Sequence, residues 1–475
     1  MSEETNRLSR RNFLRGMLTA SGAALLAACG GAAPAVAPTA APAVGAATAA
    51  TAAPAASSGN VKELTIIWAQ WDPANYLQQL VKEYKDVAGV DIKVLQEPWG
   101  TFGDRFGAEM AAKGTSFDLV VGDSQWLGQG AEQGHYVELT DVFDSQLNGK
   151  GLAPATVTAY AEYPKGTGKY WAYPTEGDAP GWAYRKDLFE DPKEKEAFKA
   201  KYGYDLAVPD TWAQLKDIGE FFTRPDKNLY GLGIYTQKDY DAITMGYENV
   251  MFSWGADWGD YSTYKVDGVA NTKEAVEALE FYKELYKLVP PGSSNDFFQE
   301  VNNKFTSGQI AMGMNYFAFM PALANKASNP LADKTGFFSN PKGPSGKSFA
   351  ALGGQGMSIV KFISAERQAA AMDFLKWFAK DETQQKWADL GGYTCNAKVL
   401  DSEQFLKATP YNQAFADSMK KVKDFWAVPV FGEMLKVTQE NLHNYIVADK
   451  GTAKEALDDM AKKHEETLKK AGLLK

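Results

Sequence analysis

From Val61 onward the chain alternates short apolar runs with amphipathic stretches, and this limits the folds open to it more than any other feature. "VKELTIIWAQ" reads as a buried strand, "NYLQQLVKEYKDVA" as a helix with one apolar face and "VDIKVLQEP" as a second strand. "TFGDRFGAEMAAKG" follows as a second helix and "SFDLVVGD" as a third strand. Strands alternating with helices predict an α/β protein, a parallel sheet with helices on both faces that binds ligands outside the carboxyl ends of its strands. Gln70 and Trp71 follow the first strand, Trp99 the second, and Asp123 and Trp126 the third. An indole offers a flat apolar face to a sugar ring while carboxylates and amides bond its hydroxyls. Any one of these tryptophans reads equally well as a core residue, and it is the repetition that points to a site for a neutral sugar.

Composition narrows the function classes. A chain of 475 residues, 45% of them hydrophobic, can bury a large core and divides into about two to three lobes. The net charge is −9, and the first 28 residues hold four arginines against two glutamates, so the remainder stands at −11. Nucleic acid needs a basic stripe to neutralise phosphates, and none is visible. The two cysteines, Cys29 and Cys395, and three unclustered histidines give no disulfide framework, metal site or cofactor motif. Cys395 reads as a small buried apolar residue.

The opening, "SRRNFLRGMLTASGAALLAACG", carries Arg10 and Arg11 ahead of a short apolar run that stops at Cys29. It resembles a twin-arginine export signal ending in the "LAAC" lipobox of bacterial lipoproteins, with lipid attached at Cys29. A plain export signal would share the positive end. Residues 30–60 are nearly all Ala, Pro, Thr, Gly, Val and Ser, broken by Pro34, Pro38, Pro42 and Pro54, and are expected to form a disordered tether. No later apolar run approaches the 18 or so residues needed to span a bilayer.

Several segments together carry a family resemblance: "GTSFDLVVGDSQWLGQGAEQGHYVELTD", "GKYWAYPTEGDAPGWAYRKDLF", "VPDTWAQLKDIGEFF", "AVEALEFYKEL", "FTSGQIAMGMNY", "GGQGMSIV" and "KEALDDMAKKHEETL". In their order and spacing they resemble the sugar-binding group of extracellular solute-binding proteins of bacterial ABC importers, which includes the maltose-binding proteins. The resemblance implies a two-lobe periplasmic-binding-protein fold, each lobe a mostly parallel sheet flanked by helices, joined by hinge strands near Pro174–Trp182. It places residues 61–175 and 335–362 in lobe 1, and 176–334 and 363–475 in lobe 2. It implies a monomer that closes on a small-molecule sugar and delivers it to membrane permease subunits of an ABC transporter, held at the membrane or in the periplasm by its lipid.

By the same resemblance the ligand-binding residues are Gln70, Trp71, Trp99, Asp123 and Trp126 of the first lobe, with Glu176 or Asp178 at the hinge and Trp182 after it. The second lobe supplies Trp254, Asp257, Asn315 and Tyr316, with Gln355 and Tyr393 completing the set. Many relatives read Gly-Gly-Trp-Gly where this chain has Gln355, which exchanges a stacking surface for an amide. After residue 28 only Arg105, Arg185, Arg224 and Arg367 remain, none clearly at a strand end. Anions usually draw on such donors, so a neutral mono- or oligosaccharide or polyol is expected ahead of an anionic solute such as glycerol 3-phosphate or a uronate.

Two other classes compete. A secreted glycoside hydrolase would need paired carboxylates, for which Asp123 and Glu176 are candidates. The chain has no Gly-x-Ser-x-Gly elbow and no His-Glu-x-x-His helix. "PKGPSGKS" ends like a phosphate loop, but Pro341 stands where the first glycine is required, so it reads as a surface turn. A purely structural surface lipoprotein would have no saturable ligand.

Overall fold

The computed structural model describes residues 59–239 and 241–475. The expected export signal, its Cys29 and all but the end of the expected tether lie outside the described residues.

Five strands form the first sheet: β1 (Glu63–Ala69), β2 (Asp91–Glu97), β3 (Leu119–Asp123), β4 (Tyr173–Asp178) and β10 (Gly353–Ile359), in the order β2-β1-β3-β10-β4. The apolar run "LTIIWA" of β1 is buried on both faces, as a central strand under two helix layers must be. Pro73 lies in the first turn of the helix Asp72–Ala88, and Gly89 ends it in the left-handed conformation. Leu77, Leu80, Val81 and Tyr84 form that helix's buried stripe.

The second sheet has the order β6-β7-β5-β8, from β5 (Pro180–Arg185), β6 (Tyr230–Gly233), β7 (Ile310–Tyr316) and β8 (Thr335–Ser339). Ala179 alone separates β4 from β5, so the chain passes from one sheet to the other inside the expected hinge. It returns through β9 (Ala350–Ala351), which pairs with β11 (Val422–Lys423), and Leu352 into β10.

The two-lobe α/β class holds, and in each sheet all strands but one run the same way, the exceptions being β10 and β5. β1 is parallel to β2 and β3, and β6 to β7, whereas β10 is antiparallel to β3 and β4, and β5 to β7 and β8. The reason is topological. β5 enters its sheet straight from β4 of the first, and β10 enters from the second lobe by way of β9, each at the end where its neighbours leave, so both must run against them.

The expected lobe boundaries shift for related reasons. Thr335–Ser339 belongs to the second sheet, fixed by its register from Gly181↔Ser339 to Arg185↔Thr335. The helix Ala365–Phe378 packs on the first sheet, with Phe374 edge-on to Tyr84 at 5.2 Å and Phe378 edge-on to Tyr173 at 5.9 Å. The helix Asp381–Asp389 packs beside Asp72–Ala88. The chain re-enters the second lobe at Asn412–Met419, which packs on β5 and β8. No helix among the described residues is long and apolar enough to cross a membrane.

Arg367 ties the helix after β10 to the first sheet. Its Nε and Nη2 each donate to Asp118 at 2.6 Å, and Asp118 also accepts from the Thr65 N–H at 2.8 Å. Asp118 is buried, so Arg367→Leu strands a carboxylate inside the lobe. Urea unfolding should show a loss of about 2 kcal/mol.

Candidate functional site

The carboxyl ends of β1, β2 and β3 open onto a cleft of about 1060 Å³ between the two sheets. Trp71 follows β1 and precedes the helix Asp72–Ala88, Trp99 begins the helix after β2, and Trp126 lies just past β3. The three indoles line the cleft and are each partly exposed. They are held by other rings. Trp71 stands edge-on to Trp99 at 5.3 Å and to the buried Trp68 at 5.7 Å. Trp126 lies flat on Phe106 at 5.4 Å and edge-on to Phe102 at 5.1 Å. Gly103 permits that seating, since a Cβ there would stand 3.1 Å from the Trp126 ring. Trp71 Nε1 has no hydrogen-bond partner within the described residues.

A row of polar groups crosses the cleft floor. Gln355 on β10 is paired in register with Asp123 on β3 and Glu176 on β4. The Trp68 indole N–H donates to Gln355 Oε1, which orients the amide. Beside this row Asp178 accepts from the Ala179 N–H at 2.8 Å and the Ala318 N–H at 3.2 Å. Burial pushes the Asp178 carboxyl well above the usual range, while these N–H groups pull the other way. Gly354 has φ of +101°, and a Cβ there would stand 2.2 Å from the Glu176 carbonyl oxygen, so only glycine fits this crossing.

The second lobe closes the cleft with groups the sequence reading did not anticipate. Gln237, Lys238 and Asp241 come from the segment after β6, and Phe297 and Phe298 from the start of the helix Phe298–Thr306. Gln439 and Glu440 come from the helix Phe431–Ile446. Asp241 is buried and its Oδ1 has no partner within the described residues. Burial, then Asp123, then Asp424 hold its carboxyl well above the usual range. Seven carboxylates line the cleft against two lysines, Lys238 and Lys436, and no arginine.

Of the predicted site residues, Trp71, Trp99, Asp123, Trp126, Asp178, Tyr316 and Gln355 line the cleft. The others do not. Gln70 is exposed beside it, its N–H bonded to the Glu97 carbonyl. Glu176 is fully buried beneath Gly354. Trp182 faces the second-lobe core, stacked on Phe338 at 6.1 Å and bonded to Asn340 at 2.9 Å. Trp254 packs on Phe281 at 4.7 Å, and Asp257 is neutralised by Lys423 at 2.6 Å. Asn315 bonds the Phe298 carbonyl at 2.9 Å and Asn302 at 2.8 Å, so it positions cleft residues from behind. The Tyr393 hydroxyl donates to the Phe317 carbonyl at 2.6 Å, which makes it a strut across the hinge. The candidate pair Asp123 and Glu176 therefore does not present two carboxylates to one ligand.

All four arginines of the described residues are spent on carboxylates away from the cleft lining. Arg105 pairs with Glu97, Arg185 with Asp187 at 2.7 Å, Arg224 with Glu194 at 2.6 Å and Arg367 with Asp118.

Residues 68–385 match the family model for bacterial extracellular solute-binding proteins, and the chain belongs to that family. It is similar to a mannitol-binding protein of Pseudomonas aeruginosa, 25% identical over 333 residues, 67% of this chain and 70% of the relative. Among solved structures it resembles a solute-binding protein of an ABC transporter from Agrobacterium radiobacter K84 in complex with ribitol. That match has a TM-score of 0.71 and 23% identity, over 85% of this chain and 98% of that one. The maltose-bound MalE3 of T. maritima matches with a TM-score of 0.72 and 23% identity, over 86% and 100%. Both likenesses are to two-lobe binding proteins and agree with the fold above.

Both oxygens of Glu176 lack partners within the described residues, and burial, then Asp178, then Asp123 raise its carboxyl well above the usual range. A pKa raised by folding gives stability that is full below the ordinary carboxylate range and is lost as pH rises through the folded value. Glutamine cannot ionise. Thermal unfolding should therefore show Glu176→Gln gaining on the parent protein as pH rises above about 5.

Proposed function

We propose that the cleft captures a neutral carbohydrate or polyol, and that closure of the two lobes delivers it to the permease of an ABC transporter. The observation that carries this reading is the lining itself: three indoles and seven carboxylates, with every described arginine bound elsewhere. Indole faces cover the apolar faces of a ring or polyol, and carboxylates accept from hydroxyls. An anionic solute would meet a cleft of its own sign and no guanidinium fork. The names of the relatives, binders of mannitol, ribitol and maltose, support the same class.

The protein binds its solute without turning it over. The carboxylate pair that the sequence offers for a hydrolase, Asp123 and Glu176, does not face one glycosidic bond, because Glu176 is buried beneath the cleft floor. Ligand shifts the lobes toward closure by binding across both of them, so the indoles of the first lobe and Asp241, Phe297 and Gln439 of the second act on one molecule. The family's extracellular setting supports export, here through the twin-arginine-like signal, with lipid at Cys29 and residues 30–60 as tether to the membrane. The protein works as a monomer that docks on its permease.

A thermal-shift panel of neutral sugars, polyols, glycerol phosphates and uronates tests the class. A neutral member at about a thousand times its Kd should stabilise the fold by about 4 kcal/mol. Stabilisation by the anions alone would overturn the neutral reading. Trp126→Ala should weaken binding of the active solute by about 1 to 3 kcal/mol, measured by titration calorimetry.

A further inference from the structure

A second cavity of about 320 Å³ lies on the other side of a wall that it shares with the cleft, formed by Leu352 and Phe425. One side of it is the helix Pro154–Tyr160, which packs on β4 of the first sheet, followed by Glu162, Tyr163 and Lys165. The other side is Tyr261, Tyr264 and the segment after β11, which leads into the helix Phe431–Ile446 packed against the second-lobe helix Ala242–Trp254. The cavity is therefore built by both lobes, as the cleft is, yet shares none of its polar residues.

Its lining has the two features that make a site for a small polar solute. The first is an aromatic platform. Tyr264 stacks on Trp426 at 5.7 Å and 14°, Tyr261 leans on the same indole at 5.4 Å, and the Lys165 ammonium lies 4.1 Å from the Tyr261 ring centroid. The second is a buried carboxyl oxygen. Asp424 is 9% exposed, its Oδ1 accepts from the Phe425 N–H at 2.7 Å, and its Oδ2 has no partner within the described residues. A buried carboxyl oxygen left without a hydrogen-bond partner is costly, and a ligand hydroxyl, which both donates and accepts, would satisfy it. Burial first, and Asp123 beyond it, raise this carboxyl to about 8, against the pull of the Phe425 N–H, the Ser124 hydroxyl and Lys165, so it is largely protonated near neutral pH and its Oδ2 can donate as well as accept.

Charge selects the solute class. With Asp424 largely protonated and Lys423 engaged with Asp257 at 2.6 Å, Glu162 and Lys165 remain as one charge of each sign, so the cavity favours neither. Its volume is at the lower end of the range for small-molecule sites, room for about one ring. We propose that this cavity is a second solute site, which takes one small neutral polyhydroxylated molecule with a hydroxyl hydrogen-bonded to Asp424 Oδ2. Because its two walls belong to different lobes, their spacing changes with the hinge angle. An occupant therefore binds one hinge angle better than another and biases the opening and closing of the cleft.

D-mannitol and maltose serve as probes of the full chain, with stoichiometry from equilibrium dialysis and position from crystal soaks. The parent protein should bind at least one of them at the second cavity, with density against Asp424. Asp424→Leu should weaken that component about tenfold, the loss expected of one hydrogen bond to a buried carboxyl oxygen. Tyr264→Ser, on the outer loop, should weaken it too and guards against a folding defect at Asp424. Trp126→Ala should leave this component intact. Binding that depends on Asp424 while Trp126→Ala changes nothing would uphold the second site and count against the cleft. Saturable binding of a single equivalent that needs Trp126 and ignores both Asp424→Leu and Tyr264→Ser would overturn the second site and leave the cleft reading standing. Density seen only at soaking concentration, or no binding of either probe, would also overturn it.

Discussion

The two lobes depend on the peptide around Ala179. It is the only residue between β4 of one sheet and β5 of the other, and Asp178 beside it accepts N–H groups from Ala179 and from Ala318 of the second lobe. Rotation about this point must carry a whole sheet with it. The same crossing forces β5 to run against its neighbours, and the return through Leu352 does the same to β10. Strands that enter from the other lobe therefore leave their backbone at the cleft floor, where Gly354 admits the Glu176 carbonyl and Gln355 stands between Asp123 and Glu176.

This floor is rich in acceptors, and the chemistry of the cleft follows from that. Asp178, Asp241 and the underlying Glu176 are all driven toward their protonated forms by burial, which keeps a crowd of carboxyls from repelling the closed lobes apart. A protonated carboxyl both donates and accepts, so such a floor suits hydroxyls, which do the same. Arginine would serve an anion, and each described arginine is instead a structural cation: Arg367 joins a helix to the first sheet, and Arg224 joins Glu194 across 30 positions of sequence.

The first lobe was the most legible part of the sequence. Its strands alternate with long amphipathic helices, and Trp71, Trp99 and Trp126 fall at the strand ends that such a sheet turns toward a ligand. The second lobe was less legible, because its contributions come from irregular or distant pieces. Asp241 follows the four-residue strand β6, and Gln439 comes from a helix near the C-terminus whose facing is set by packing. The adjacent Phe297 and Phe298 at the start of the helix Phe298–Thr306 were a usable signal. Trp182, Trp254 and Asn315 misled for the opposite reason. Their residue types suit a sugar, but the partners that occupy them, Phe338, Phe281 and Asn302, sit on other elements that only the tertiary fold brings alongside. The boundary at β8 depended on a register with β5 that no local pattern encodes.

The central claim is that one solute bridges two lobes that turn about Ala179. Small-angle X-ray scattering, recorded without solute and then at saturation with the neutral carbohydrate or polyol that stabilises the protein most, tests this directly. The account predicts a contraction of the radius of gyration that saturates with binding. A scattering curve unchanged at full occupancy would mean that the solute sits on one lobe alone, and would contradict it.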